Sequence, residues 1–133
     1  MLRALRHRDF RLLWIGQSIS LIGDGIYFVA IAWLVYDISN QPSALALVGV
    51  AWTVPMVAGL LVAGVASDRL ERRRLIVIAD LLRFAAVGAI GVLASTDAIE
   101  LWHVIVLVVF YGFGDALFQP AFTAIVPEVV PRE

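Results

Sequence analysis

Four long apolar runs divide this chain of 133 residues and limit it to very few folds. Each run exceeds about 20 residues, the length that a helix needs to cross about 30 Å of hydrocarbon. The runs are Leu12–Tyr36, Leu45–Ala66, Leu75–Ser95 and Leu101–Val126. The chain is 62% hydrophobic and 16% charged, whereas soluble domains are about 45–50% apolar and about 25% charged. No run alternates as a membrane barrel strand would, so the sequence predicts an all-α polytopic membrane protein with four transmembrane helices.

The segments that flank the runs alternate between Arg-rich and Arg-free, and this alternation predicts the topology. The first connection, DISNQPSA, has no cation, and the third, TDAIE, has only acids. Cations cluster before the first run and between the second and third, at Arg3, Arg6, Arg8, Arg11, Arg69, Arg72, Arg73 and Arg74. Because Arg-rich loops stay in the cytoplasm, we expect both termini and the second connection on the cytoplasmic side of the cell membrane. The first run is too long for a signal peptide and is interpreted as a retained helix.

Several kinds of chemistry are excluded by the residues present. The chain has no Cys, so thiol catalysis and thiolate metal sites are impossible. His7 and His103 fall on opposite sides of the predicted membrane and cannot share a metal ion. The stretch GFGDAL lacks the third Gly and the preceding strand of a dinucleotide fingerprint. We therefore predict no metal, no cofactor and no enzymatic activity, and topology explains the Arg runs better than nucleic-acid binding does.

The second connection also carries a specific pattern. The stretch from Gly64 to Arg73, GVASDRLERR, resembles the signature G-x-L-x-D-R-x-G-R-[RK] that lies between helices 2 and 3 of the major facilitator superfamily. Matching positions are Gly64, Asp68, Arg69, Arg72 and Arg73. Ala66 replaces the usual Leu, and Glu71 replaces the second Gly, which argues against a tight turn with positive φ and for a helical loop.

Other stretches resemble bacterial drug, macrolide and siderophore exporters of this superfamily, so that the resemblance covers the whole chain. They are FRLLWIGQSISLIGDGIYFVAIAWLVYDIS, ADLLRF and GDALFQPAFTAIVPEVVPRE. One departure is Val108, which stands where many drug/proton antiporters carry an Arg in helix 4.

The resemblance implies twelve helices in two six-helix halves, of which residues 1–133 would be part of the first half. It also implies alternating access, export of a small-molecule substrate, and partners in the remaining helices or in self-association. It further implies that Asp68 is a latch against a helix terminus of the other half.

Asp24 is the first candidate site residue, because it falls near the middle of the first helix, where an ionised carboxylate is expensive. Gln17, Ser20, Asp24 and Tyr27 are spaced to share one helix face, which should point away from lipid. Loss of hydration favours the neutral form of a carboxylate, so Asp24 is predicted to couple transport to an ion, namely a proton, or to recognise a cation. The alternative is a hydrogen-bonded Asp that only fixes helix packing.

Asp115 is the second candidate and lies on a polar stripe of the fourth helix with Tyr111, Gln119 and Thr123. The resemblance places helices 1 and 4 around the central cavity, which raises the weight of Asp115 and Gln119 as site residues. Asp80 and Arg83 are one turn apart on the third helix and are predicted to form a structural ion pair near its cytoplasmic end. The long side chain of Arg83 is also expected to be able to extend to the lipid headgroups.

Small residues recur on two predicted helices and suggest close packing. Gly59, Ala63 and Ser67 form a small-xxx-small face, and Gly88 and Gly91 suggest a second one.

Two functions compete with a transporter of the superfamily. One is a small four-helix exporter that dimerises, which the strong charge bias disfavours. The other is a structural or assembly subunit without transport activity, which the polar stripes of helices 1 and 4 disfavour.

Overall fold

A computed structural model of the chain describes residues 8–129, apart from the side chains of Asp9, Ser67, Asp68 and residues 124–129. This part of the chain forms four α-helices, all long and apolar enough to cross a membrane. They are α1 (Arg8–Ser39), α2 (Pro42–Arg69), α3 (Arg72–Ser95) and α4 (Leu101–Val129). The predicted all-α fold with four membrane helices is confirmed. Most helices begin or end about a turn beyond the apolar runs, because backbone hydrogen bonding continues into the polar flanks.

The connections between the helices are short. Asn40, at a φ of 49°, and Gln41 join α1 to α2, and Pro42 occupies the first turn of α2, where its missing N–H costs nothing. Leu70 and Glu71 join α2 to α3 with extended backbone and negative φ. The predicted absence of a positive-φ turn at Glu71 is therefore confirmed, but the expected helical loop is wrong at Leu70 and Glu71, where the backbone is extended between the two helices.

α4 lies between α2 and α3 and packs tightly against both. A Cβ added to Gly112 would lie 2.5 Å from the carbonyl oxygen of Trp52 on α2. A Cβ added to Gly114 would lie 2.6 Å from Cγ of Arg83 on α3. Gly59 of α2 would meet Cβ of Ala116 at 2.7 Å. These distances are far below ordinary contact, so glycine sets the spacing of the three helices.

The small residues that were predicted from sequence behave in two ways. Gly59 and Ala63 are buried against α4, whereas the side chain of Ser67 lies outside the described residues. Gly88 and Gly91 have open space around them, with nothing within 4 Å of an added Cβ. The suggestion of close packing at Gly88 and Gly91 is thus wrong for the described part of the chain.

The main apolar core occupies the end of the bundle at which α1 joins α2. It combines the second half of α1 with the first halves of α2 and α4 and the second half of α3, and includes Val35, Ala44, Val48, Ile90 and Val104. At the opposite end, α1 buries no side chain before Tyr27 among its described residues. α1 is therefore packed along one half of its length only.

Candidate functional site

Three charged residues sit at the centres of three helices. Asp24 is the seventeenth of the 32 residues of α1, Arg83 is the twelfth of the 24 residues of α3, and Asp115 is the fifteenth of the 29 residues of α4. At 1.5 Å per residue, each is far from both ends of its helix. Charges at such depth are costly unless they are paired or hydrated, and the fold brings these three together.

Arg83 is the centre of this group, which we call the central cluster: Asp24, Trp52, Asp80, Arg83, Tyr111 and Asp115. Only 8% of the Arg83 side chain is exposed. Nη2 of Arg83 donates hydrogen bonds to Oδ1 of Asp24 and, at 3.1 Å, to the hydroxyl of Tyr111. The Tyr111 hydroxyl in turn donates to Oδ1 of Asp24 at 2.8 Å. A closed triangle of hydrogen bonds thus links α1, α3 and α4.

Asp115 approaches the same guanidinium from the other side. Its Oδ1 lies 3.3 Å from Nε of Arg83, but the N–H of Nε is buried and forms no hydrogen bond among the described residues. The distance allows electrostatic attraction, whereas the direction of the N–H does not allow a hydrogen bond. Oδ2 of Asp115 instead accepts a hydrogen bond of 3.0 Å from Nε1 of Trp52, which ties α2 into the cluster.

Asp80 is at the edge of the cluster. Its Oδ1 lies 3.7 Å from Nη1 of Arg83, and 55% of its side chain is exposed. The predicted spacing of one turn therefore does place the two charges near each other, but Asp24 holds Arg83 far more closely. The expectation that Arg83 lies near the end of its helix and extends to the headgroups is wrong, because the side chain turns into the bundle at mid-helix.

The predicted neighbours of Asp24 are not the partners that the structure shows. Gln17 and Ser20 are half-buried, and neither hydrogen bonds to Asp24 in the described part of the chain. Tyr27 is buried and stacks on the ring of Tyr111 with centroids 4.4 Å apart, yet its hydroxyl has no partner among the described residues. Gln119 is exposed one turn beyond Asp115.

The residues of the signature loop lie at the end of the bundle opposite the α1–α2 turn. Gly64 lies within α2, Arg69 is its last residue, and Arg72 and Arg73 open α3. The Asp68 side chain lies outside the described residues, so its predicted role as a latch stays a prediction. Arg74 pairs with Glu71 at 3.1 Å on the exposed surface.

A cleft opens beside the central cluster between α1 and α3 and combines charged with apolar side chains. Its volume is about 280 Å³, and its lining includes Ser20, Asp24, Asp80, Arg83 and Tyr111. It adjoins an apolar groove of about 1030 Å³ between the same helices, lined by residues such as Ile26, Leu34 and Ile90. The carboxylates of Asp24 and Asp80 are thus accessible from the side of α1 and α3, whereas Asp115 is largely enclosed.

Sequence reasoning assigned Arg83 to the wrong place and missed the roles of Trp52 and Tyr111. Counting residues along α3 would have located Arg83 at its centre, since twelve residues at 1.5 Å span about half of the membrane. The indole N–H of Trp52 and the hydroxyl of Tyr111 are polar groups at the same depth, and each needs a partner there. The positive charge of this site comes from Arg83 on α3 and not from α4. Val108 of α4 is buried in the apolar core.

The fold and the site define a polytopic membrane protein with buried, paired charges at the centre of its helices, which is the arrangement of membrane transporters rather than of enzymes. The model of the transmembrane secretion effector family (MFS_3) matches residues 1–133. The chain belongs to this family of major facilitator transporters.

Characterised relatives of this chain are bacterial efflux proteins. The chain is 40% identical over 99 residues to the multidrug efflux pump Tap of Mycolicibacterium fortuitum, covering 74% of this chain and 24% of that protein. It is 27% identical over 124 residues to macrolide efflux protein A of Streptococcus pyogenes, covering 93% of this chain and 31% of that protein. It is 33% identical over 113 residues to Tap of Mycobacterium bovis, covering 83% and 27%.

The chain therefore spans about a quarter to a third of the length of these relatives. No solved structure matches it significantly. The kinship with bacterial pumps and the four apolar helices make it a multi-pass protein of the cell membrane.

Proposed function

We propose that the chain forms the first four helices of a secondary active exporter, which moves small molecules out of the cell by alternating access and is coupled to protons. Alternating access in such transporters is the rocking of two repeats around a site near the membrane midplane. The remaining helices would come from the rest of the transporter or from a second copy. The observation that carries the proposal is the central cluster, in which carboxylates of α1 and α4 share one buried Arg at mid-helix.

Asp24 is the coupling carboxylate in this proposal, and Asp115 assists it. Asp24 borders the open cleft, so a proton can reach it from water, whereas Asp115 is more enclosed and already accepts a hydrogen bond from Trp52. Protonation of Asp24 would cancel its charge and weaken its hydrogen bonds with Arg83 and Tyr111, because charge-assisted hydrogen bonds are roughly twice as strong as neutral ones. A proton would in this way change how α1 is held.

The test uses the full transporter in proteoliposomes with a radiolabelled macrolide as probe. Asp24→Asn keeps the shape of the side chain but cannot ionise. We expect it to abolish transport driven by a pH gradient while leaving exchange of labelled for unlabelled probe intact. Asp37→Asn, at the exposed far end of α1, is the matched control and should keep both activities.

Three results would contradict the proposal. Unchanged gradient-driven transport by Asp24→Asn would reject its coupling role. Loss of exchange together with loss of folding would favour a packing role for Asp24. A purified transporter that moves no probe under any gradient, yet is well folded, would favour the structural subunit over the exporter.

We also propose that the signature loop and both ends of the four-helix segment lie in the cytoplasm, because the Arg-rich segments lie at one end of the bundle. The Cys-free chain allows a direct test with single substitutions and an impermeant thiol reagent. Ser39→Cys should react from outside intact cells, and Arg73→Cys should react only after the membrane is opened. The reverse pattern would overturn the topology.

A further inference from the structure

Three carboxylates lie near the single positive charge of the Arg83 guanidinium, which cannot neutralise all of them. Asp24, Asp80 and Asp115 all place an oxygen within 4.0 Å of one of its nitrogens. Among the described residues, the titratable groups around Arg83 besides these carboxylates are Tyr27 of α1 and Tyr111 of α4. From α2 the described contact is the indole of Trp52, which does not titrate. With all three carboxylates ionised, the group would carry two uncompensated negative charges at membrane depth, which is strongly unfavourable. Protons are therefore expected on part of the cluster.

The hydrogen bonds of Arg83 are distributed unequally between the two central carboxylates. Nη2 is fully engaged by Asp24 and Tyr111, whereas Nε faces Asp115 at 3.3 Å without forming a hydrogen bond. A buried donor without a partner is costly, and its nearest acceptor needs only a reorientation of the guanidinium plane. A reorientation of the guanidinium would therefore allow a second arrangement, in which Arg83 bonds to Asp115 through Nε.

The packing of the helices favours a change at α1 rather than at α4. Gly114 lets the stem of Arg83 lie directly against α4, so that α3 and α4 form one closely packed pair. α1 has open space at Gly16, Gly23 and Gly25, and its links to this pair at mid-membrane include the Asp24 triangle and the ring contacts of Tyr27 and Phe28 with Tyr111. Weakening the triangle would release one half of α1 while α3 and α4 stay together.

We propose that Arg83 is a positioning residue that transmits the protonation of Asp24 to the arrangement of the helices. A proton from water binds the carboxylate of Asp24, no covalent bond of the protein breaks, and Arg83 then turns to bond Asp115 through Nε. α1 separates from α3 in the half that faces the signature loop. This inference rests on the proposed proton coupling and adds the residue through which the coupling acts.

The mechanism requires arginine and not merely a positive charge. A guanidinium presents five N–H donors in a fixed plane and can hold two carboxylates at once, whereas the ammonium of Lys is a single point of charge. Arg83→Lys therefore keeps the charge of the cluster but removes the bridge. If Arg83 only neutralises Asp24, the Lys variant should behave as the parent does.

The experiment measures the distance between α1 and α3 in the full transporter by electron–electron double resonance. Spin labels are attached at Leu12→Cys and Val77→Cys, two exposed positions in the halves of α1 and α3 that face the signature loop. Measurements at about pH 8 and about pH 3.5 lie above and below the ordinary pKa of aspartate, about 3.9. We expect the parent to show a longer distance at the lower pH.

Three variants complete the design. Asp24→Asn should give the longer distance at both pH values, because its side chain is permanently neutral. Arg83→Lys should lose the pH-dependent shift, and Asp37→Asn should keep it. Retention of the shift by Arg83→Lys would overturn the proposal, as would a parent that shows no shift.

This readout is independent of transport. Asp24→Asn could keep gradient-driven transport while the α1–α3 distance of the parent still responds to pH and Arg83→Lys loses that response. This result would reject the coupling role of Asp24 and support the positioning role of Arg83. Arg83→Lys preserves the buried positive charge, so it is expected to fold and its distance measurement decides the question.

Discussion

α4 and α1 carry the same local pattern at their centres, a Gly followed by an Asp, but they are packed in different ways. On α4, Gly114 precedes Asp115 and touches Arg83, and Gly112 touches the backbone of α2. On α1, Gly23 precedes Asp24, and nothing lies within 4 Å of the position of its missing Cβ. The comparison teaches that one sequence pattern can serve close packing in one helix and leave space in another, depending on which helices surround it.

The two carboxylates differ in the same sense. Asp115 has 16% of its side chain exposed and is held by the indole of Trp52, whereas Asp24 has 29% exposed and is held by charged and phenolic groups. A neutral donor remains in place when a carboxylate gains a proton, but attraction to a guanidinium does not. α4 is therefore built to stay where it is, and α1 is held by contacts that a proton can weaken.

The largest effect is expected from filling the space between α4 and α2. Gly112→Ala places a methyl group 2.5 Å from the Trp52 carbonyl oxygen, so the helices must separate, at a cost of about 1–3 kcal/mol from overpacking. Gly25→Ala on α1 meets nothing and should leave the unfolding midpoint of the chain in detergent nearly unchanged. Equal losses for the two variants would show that α1 is as closely packed as α4.

A smaller effect is expected from removing single donors to the two carboxylates. Trp52→Phe takes from Asp115 its indole hydrogen bond and should destabilise the chain by about 1 kcal/mol, the lower end of the cost of a buried acceptor that loses its donor, because Asp115 keeps its attraction to Arg83. Tyr111→Phe should cost less, because Asp24 keeps its bond to Arg83. Denaturation of both variants in one detergent ranks them, and a larger loss for Tyr111→Phe would contradict the assignment of anchors.

The smallest effect is expected at the membrane surface, where the contrast between the helices no longer applies. Glu71 and Arg74 form an ion pair with 72% and 70% of their side chains exposed. Exposed pairs contribute at most about 1 kcal/mol and are screened by salt. Glu71→Gln should therefore shift the unfolding midpoint slightly at low salt and not at high salt; a large shift that persists in high salt would mean that this loop is packed more tightly than the structure indicates.

The four helices were predictable from sequence because a membrane helix needs a long apolar run, whereas the orientation that the alternation of Arg predicts is part of the proposal. The central cluster was predictable only in part. Depth identified Asp24, since a carboxylate at mid-helix is rare enough to be informative, whereas the polar stripe of helix 4 and the family resemblance identified Asp115. Their partners were not predictable, because Gln17 and Ser20 share the face of Asp24, whereas Arg83 and Tyr111 come from helices 59 and 87 residues further along the chain.

For the same reason, the sequence does not distinguish glycines in close helix contacts from glycines beside open space. Gly112 and Gly25 look alike in sequence, and only the arrangement of neighbouring helices distinguishes a contact from open space. Periodicity reports which face of a helix is apolar, but it does not report which helix covers that face.

The two-residue connection at Asn40 and Gln41 has a mechanical consequence. It fixes one end of α1 to α2 beside the apolar core, so a rigid tilt of α1 under the proposed mechanism would pivot at Ser39 and would also shift Tyr27, Ile31 and Val35 within that core. At 1.5 Å per residue, Asp24 is about 22 Å from this pivot and Arg8 is about 46 Å away. By the same helix geometry, a tilt of about 10° displaces Asp24 by about 4 Å, enough to separate it from Arg83, and displaces the far end by about 8 Å. Because the far end of α1 is about twice as far from the pivot as Asp24, a tilt that separates Asp24 from Arg83 would displace the far end about twice as much.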